Sequence, residues 1–299
     1  MINSGYVSEA TKVLMTTLLA DFGIQLAGFS VSALLQTEKF YDLLGSTAFI
    51  VCTYVSLFKP WNDQDQYNAA GHYTALHPRQ ILASSTTVIW ALYLGSFLFN
   101  RALRHGDKRF DRIKTRPRRF FFYWHVQGVW VALTALPVYL TNSIPGEAHP
   151  PIGLRDILGF VLWGGGFAFE IIANYQKQCW RKEIGRDYKR SFISTGLWSL
   201  SRHPNYFGEC ILWFGSYLFS SGAFSAVLSN NPEQTILSPW MTRLAVLSPV
   251  FVTVLITRVS GIPLLEREND RRLKDVVAYW KYKKQTSMFV PTWPHPVAE

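Results

Sequence analysis

"GLWSLSRHPNYFGECILWFG", residues 196–215, joins a basic stretch to an apolar one, and the position of that junction decides how the chain is read. Pro204 stops regular helix before it and suits the first turn of the helix that follows. From Tyr206 the chain stays apolar to about residue 228, long enough to cross a bilayer. Arg202, His203, Asn205, Tyr206 and Glu209 therefore gather at the mouth of a membrane span. The free N–H groups and positive dipole end of a helix start favour anions, so a phosphate or carboxylate can dock there, with Arg202 as a forked donor. Gly208 lets a ligand or a neighbouring backbone approach closely.

The rest of the chain supports a membrane setting. Hydrophobic residues make up 48% of 299 and aromatics 15%, with 11 Trp, as expected where amphipathic rings sit at lipid interfaces. Apolar segments of spanning length lie near 11–35, 40–58, 80–99, 120–140, 152–173, 206–228 and 239–257. The expected fold is thus all-α, an integral membrane bundle of about seven transmembrane helices. No repeat, low-complexity tract or linker divides the chain, so residues 1–299 read as one integral membrane domain. The N-terminus has neither a basic region nor a small-residue cleavage site, and the first apolar segment is expected to stay as an anchor.

The net charge of +10 falls between apolar spans and forms no nucleic-acid-binding face. Of the 30 Lys and Arg, nine lie in 100–119, seven in 174–205 and eight in 258–299. With the spans above, all three segments share one side, which the positive-inside rule makes cytoplasmic. Cys52, Cys179 and Cys210 are odd in number and unevenly spaced, so they form neither a disulfide framework nor a paired metal motif; no metal is expected. A dinucleotide-binding GxGxxG after a strand, a Walker A loop and HExxH are also absent.

Ionisable groups at membrane depth are costly and mark function by default; Asp21, Glu170 and Glu209 qualify. At 3.6 residues per turn, Glu170, Asn174, Lys177 and Arg181 fall on one face of the helix that leaves the fifth span, a polar stripe that also reads as a solvated face with i,i+4 pairs. Gly164, Gly165 and Gly166 permit close helix packing or a kink. In the basic run after the third span, Asn100, Arg101, Asp107 and Arg109 lie nearest the membrane and are candidate ligand contacts.

The 196–215 block, together with "SGIPLLEREND" (260–270), "YWKYKKQTSMFVP" (279–291) and "WALYLGSFLFNRALRHGDKRFD" (90–111), resembles the C-terminal domain of the steroid 5-alpha-reductase family, most closely its multi-spanning branch without assigned function. The resemblance covers about residues 80–291. It implies a seven-helix fold holding NADPH in a cytoplasm-facing cavity and reducing an activated carbon–carbon double bond of a lipid such as an enone steroid. It further implies that Asn205 and Glu209 contact the cofactor, that Arg181 holds its phosphates, and that Asn100, Arg101, Glu170 and Asn174 lie at the same site. Arg202, His203 and Tyr206 match the superfamily's Arg-His-Pro motif. Tyr93 is the candidate catalytic proton donor, with Asp21 and Glu38 as candidates for its acidic partner. Two positions depart from that branch, which usually has Arg where Tyr93 stands and Asp where Asn174 stands, so the substrate is left open among enone, enoyl and polyprenoid lipids. A eukaryotic source would place such an enzyme in the endoplasmic reticulum.

Two other classes compete. The RHPxYxG pattern also resembles S-adenosylmethionine-dependent membrane methyltransferases of the isoprenylcysteine or phospholipid type, although Glu266 and Glu268 are separated by Arg267 instead of forming an adjacent acidic pair. The third class is a lipid-binding scaffold that kept the fold and lost the chemistry.

Overall fold

The computed structural model describes residues 9–58, 76–105, 110–229 and 237–294. Among them every regular element is helical and none is a strand. The chain runs α1 (Glu9–Leu34), α2 (Tyr41–Phe58), α3 (Pro78–His105), α4 (Pro117–Thr134), α5 (Leu136–Asn142), α6 (Leu154–Ile184), α7 (Leu197–Leu200), α8 (Pro204–Ser229), α9 (Pro239–Leu244), α10 (Leu247–Val254), a π turn (Leu255–Val259), α11 (Ile262–Arg272) and α12 (Val277–Gln285). All seven apolar segments expected from the sequence are helical. Among the described residues five stretches are long and apolar enough to cross a membrane: Ala10–Leu34, Tyr41–Phe58, Pro78–Leu103, Leu154–Ile184 and the composite Pro239–Arg272. The expected fourth span is instead broken at Ala135 into α4 and α5, where Pro137 in the first turn of α5 has no N–H to continue the ladder.

Local chemistry sets the helix starts. Pro78 occupies the first turn of α3, and Gln80 reaches back so that its Oε1 accepts the His77 N–H at 2.9 Å, one half of a capping box. Pro204 opens α8, and the preceding His203 N–H is taken by Ser201 Oγ at 3.1 Å.

The chain divides into two compact units, residues 1–158 with 216–248 and residues 159–215 with 249–299. Each is discontinuous in sequence, and the divisions fall inside α6, α8 and α10, so no linker marks them. In the first unit α1 packs on α2 and α4, and α2 on α3. Aromatic edges fill these contacts: Phe49 meets Trp90 and Trp130 with ring centroids 5.1 and 4.8 Å apart, and Phe120, Trp124 and Phe110 pack with Tyr41 and Leu44.

In the second unit α6 and the start of α8 touch backbone to backbone. A Cβ on Gly208 would lie 2.6 Å from Gly166 O and 2.7 Å from Glu170 N, and a Cβ on Gly166 would lie 2.7 Å from Gly208 O. One of the three consecutive glycines thus makes the close approach, while Gly164 and Gly165 have nothing within 4 Å. Gly208 admits a neighbouring helix.

Candidate functional site

The second unit contains a cleft of about 660 Å³, counting its open mouth. Its walls come from the end of α6, the 192–203 segment, α11 and α12. Lys177 and Arg181 lie one turn apart on α6, and α7 brings Trp198 beneath them. Trp198 is fixed by its indole N–H, which donates to Ala173 O at 3.0 Å, and by its carbonyl, which accepts from Tyr282 Oη at 2.6 Å. Gly196, with φ +60°, makes the turn into α7; Gln176 Oε1 then accepts the Leu197 N–H at 2.9 Å. The Lys177 ammonium sits 4.5 Å from the Trp198 ring centroid, a cation–π contact.

Glu266 on α11 gathers the other charges. Its Oε2 accepts from Arg202 Nη1 at 2.6 Å and lies 3.1 Å from Lys283 Nζ, while its Oε1 accepts from His203 Nε2 at 2.8 Å. That last bond requires the proton on Nε2. Burial lowers the His203 pKa from 6.5, with Lys177 and Arg202 acting in the same direction and Glu266 opposing them. The ring is therefore a neutral donor that orients the carboxylate. Tyr206 stacks over it at 6.0 Å. Lys283 also bonds Asp270 Oδ2 at 2.7 Å, and the Tyr279 hydroxyl donates to Asp270 Oδ1 at 2.7 Å, which ties α12 to α11.

The C-terminal segment straps the motif in place. The Arg202 N–H donates to Ser287 O at 2.9 Å, Ser201 Oγ to Phe289 O at 2.8 Å and the Thr292 N–H to Leu200 O at 3.0 Å. The stretches 196–209 and 279–291, far apart in sequence, thus form one structure.

Of the residues expected from sequence to bind a cofactor, Arg181, Arg202 and His203 line the cleft. Glu170 and Asn174 are buried, Glu170 at the Gly166–Gly208 crossing and Asn174 one turn further along α6. Asn205, Tyr206 and Glu209 are half-buried on the first turns of α8. Tyr93, Asn100 and Arg101 belong to α3 in the first unit. Tyr93 stacks on Phe97 at 6.3 Å, exposed Asn100 donates to Ser96 O at 2.8 Å, and Arg101 pairs with Asp42 at 3.4 Å. Asp107 and Arg109 lie outside the described residues. Arg272 and Trp198 were not anticipated from sequence, and Glu266 was noted there only for its spacing from Glu268. Glu266, Asn269 and Arg272 recur every three residues on α11, a one-face pattern that could have flagged them; nothing local marks Trp198.

The model of a family described as a protein of unknown function (DUF1295) matches residues 28–286, and the chain belongs to that family. An uncharacterised protein of Schizosaccharomyces pombe is 28% identical over 130 residues, 38% of this chain and 37% of the relative. The alignment thus spans little more than a third of the relative's length. No solved structure matches.

Proposed function

We propose that the protein is a membrane oxidoreductase that uses NADPH to reduce a carbon–carbon double bond of a lipid, with the cleft as the cofactor's polar site. The observation that carries this reading is the charge and character of the lining. Four basic side chains, Lys177, Arg181, Arg202 and Arg272, stand against two carboxylates, Glu266 and Glu268, among aromatic walls that include Trp180, Phe192 and Tyr282. A positive site favours a polyanion; aromatic faces accept a planar base. The phosphates and adenine of NADPH meet both demands, with Arg181 and Arg202 as phosphate donors. NADPH supplies a hydride when bound. In this reading Asn205 and Glu209 bond the cofactor, Glu170 and Asn174 support them, and the Tyr93 hydroxyl donates a proton to the substrate carbonyl oxygen. The cleft faces the cytoplasm, the endoplasmic reticulum being the membrane in a eukaryotic source.

One observation favours methyl transfer instead. Glu266 supplies a carboxylate to the Arg-His motif shared with the S-adenosylmethionine enzymes. That carboxylate is already met by Arg202 and Lys283, and the Trp198 ring that could face a sulfonium already carries Lys177. The lining charge therefore supports the anionic cofactor.

Calorimetric titration of detergent-purified protein with NADPH and, separately, S-adenosylmethionine tests the choice, repeated on Arg202→Ala, Asn205→Ala and Glu209→Ala. Saturable NADPH binding is expected, with Arg202→Ala weakening it roughly tenfold or more through loss of a charge-assisted bond. Binding of S-adenosylmethionine alone transfers the assignment to methyl transfer. If folded protein binds neither, the scaffold class stands.

A further inference from the structure

A second cavity lies within the first unit, between α1, α2, α4 and α5, and encloses about 500 Å³ including its mouth. Most of its wall is apolar: Leu14 and Leu18 of α1, Ala132 and Leu133 of α4, and Leu136 of α5. Leu18 is 40% exposed on a helix long and apolar enough to cross a membrane, so the mouth opens on the face that meets lipid. Four side chains of different character complete the lining: Thr17, Asp21, Cys52 and Tyr139. The Thr17 hydroxyl donates to Val13 O at 2.8 Å. The Cys52 thiol is used, donating to Thr17 O at 3.5 Å.

The other two side chains are incompletely met. Asp21 is 1% exposed and Tyr139 2%; among the described residues Asp21 Oδ2 has no hydrogen-bond partner, and the Tyr139 hydroxyl has only the weakly accepting Cys52 sulfur beside it. Gln25 Nε2 donates to the other Asp21 oxygen at 2.9 Å, which holds the carboxyl in position without satisfying it. Buried polar groups in proteins nearly always find partners, and a carboxyl in a membrane span is placed there for a purpose more often than for packing. The cavity therefore combines a hydrocarbon-lined space with one unused acceptor and one hydroxyl that meets only a thiol.

We infer that this cavity binds a lipid whose single polar group is a hydroxyl. An alcohol is the simplest group that complements both side chains, since its O–H donates to Asp21 Oδ2 and its oxygen accepts from the Tyr139 O–H. Against an ionised Asp21 a ketone or ether only accepts and leaves the carboxylate oxygen unmet; a hydrocarbon leaves both unmet. The rest of the molecule fills the space between Leu14, Leu18, Leu133 and Leu136. The inference uses only first-unit residues and does not depend on the reaction proposed above.

The test uses the chain in lipid nanodiscs, with no nucleotide present. A hexadecanol bearing a mid-chain diazirine is photolysed with the protein, and labelled peptides are located by mass spectrometry in competition with hexadecanol, hexadecyl methyl ether or hexadecane. Labelling is expected on the cavity walls, within residues 12–24 and 130–140, with hexadecanol competing at least tenfold better than the ether and the alkane not competing. Tyr139→Phe and Asp21→Leu should each abolish the preference for the alcohol. Equal competition by alcohol and ether, or labelling only elsewhere, overturns the proposal. The wild-type competition decides the matter even if neither variant folds.

Discussion

Each compact unit contains an arginine–carboxylate pair with a histidine against it, on the arginine in the first unit and on the carboxylate in the second, and the two clusters are built for different ends. In the first unit Arg79 is fully buried and Asp156 is 3% exposed. The guanidinium donates to Asp156 Oδ1 from Nε at 2.6 Å and to Oδ2 from Nη2 at 2.9 Å, and its remaining donors reach Pro150 O, Pro151 O and His149 Nδ1. All five N–H groups of the fork have acceptors. The Gly153 N–H closes the other side of the carboxylate at 2.9 Å, and Gly222 leaves it room, since a Cβ there would lie 2.8 Å from Asp156 Oδ1. The arginine and the carboxylate of this cluster are sealed, and His149 Nε2 is its one polar side-chain atom without a well-formed hydrogen bond among the described residues. In the second unit Arg202 and Glu266 keep 11% and 15% of their side chains exposed, line an open cleft, and leave Arg202 Nε without a hydrogen-bond partner. A closed network whose guanidinium and carboxylate are fully bonded rigidifies a fold. One that keeps a free donor beside a cavity is available to a ligand.

The largest effect should come from breaking the sealed pair. Arg79→Met strands a buried carboxylate and is expected to cost about 3–5 kcal/mol, read as a large fall in the thermal unfolding midpoint of the detergent-solubilised protein. A wild-type midpoint would remove the structural role given to this cluster.

Acid should act next, and through the same cluster. Burial, reinforced by His77 and Arg79, lowers His149 from 6.5 to about 3, against a smaller opposing effect of backbone hydrogen bonds. Between those values the unfolded chain binds a proton that the folded chain does not, so stability is fully present above about pH 6.5 and declines as pH falls towards 3. Unfolding midpoints recorded from pH 7 to pH 4 should drop more steeply for the wild type than for His149→Gln. Parallel curves would contradict a buried neutral imidazole.

The open cluster should respond least in stability. Glu266→Gln keeps the shape, removes a partly solvated charge, and is expected to cost about 1–2 kcal/mol, well below the loss from Arg79→Met. Its main consequence should be functional: Arg202 and Lys283 lose their shared anchor, and NADPH affinity should change by about tenfold as the guanidinium is repositioned. A stability loss as large as that of Arg79→Met would erase the distinction between the clusters.

Much of the architecture was legible in sequence because membrane helices are specified locally. A run of about twenty apolar residues must satisfy its backbone groups internally whatever its neighbours are, so the seven helical segments could be placed from hydropathy alone. Arg202 and His203 were legible for a related reason, since Pro204 announces a helix start and the polar residues around it stand out against an apolar run. The break at Ala135 was not, because Pro137 in an apolar stretch is compatible with either a kink or an interruption.

The partners were hidden. "LLERE" could be read only for the spacing of Glu266 and Glu268, yet Glu266 meets residues 63 and 64 positions earlier in the chain. Arg79 and Asp156 are 77 residues apart, and each alone reads as an ordinary interfacial charge. Tyr139 has no local signal at all. Sequence by itself determined the helices, their approximate ends and the concentration of polar groups at the start of α8, because hydropathy, proline and capping act over a few residues. Only the tertiary structure decided which charges are sealed and which stay open, and which hydroxyl shares a cavity with Asp21, because burial and hydrogen-bond satisfaction depend on contacts between segments that the chain order keeps apart.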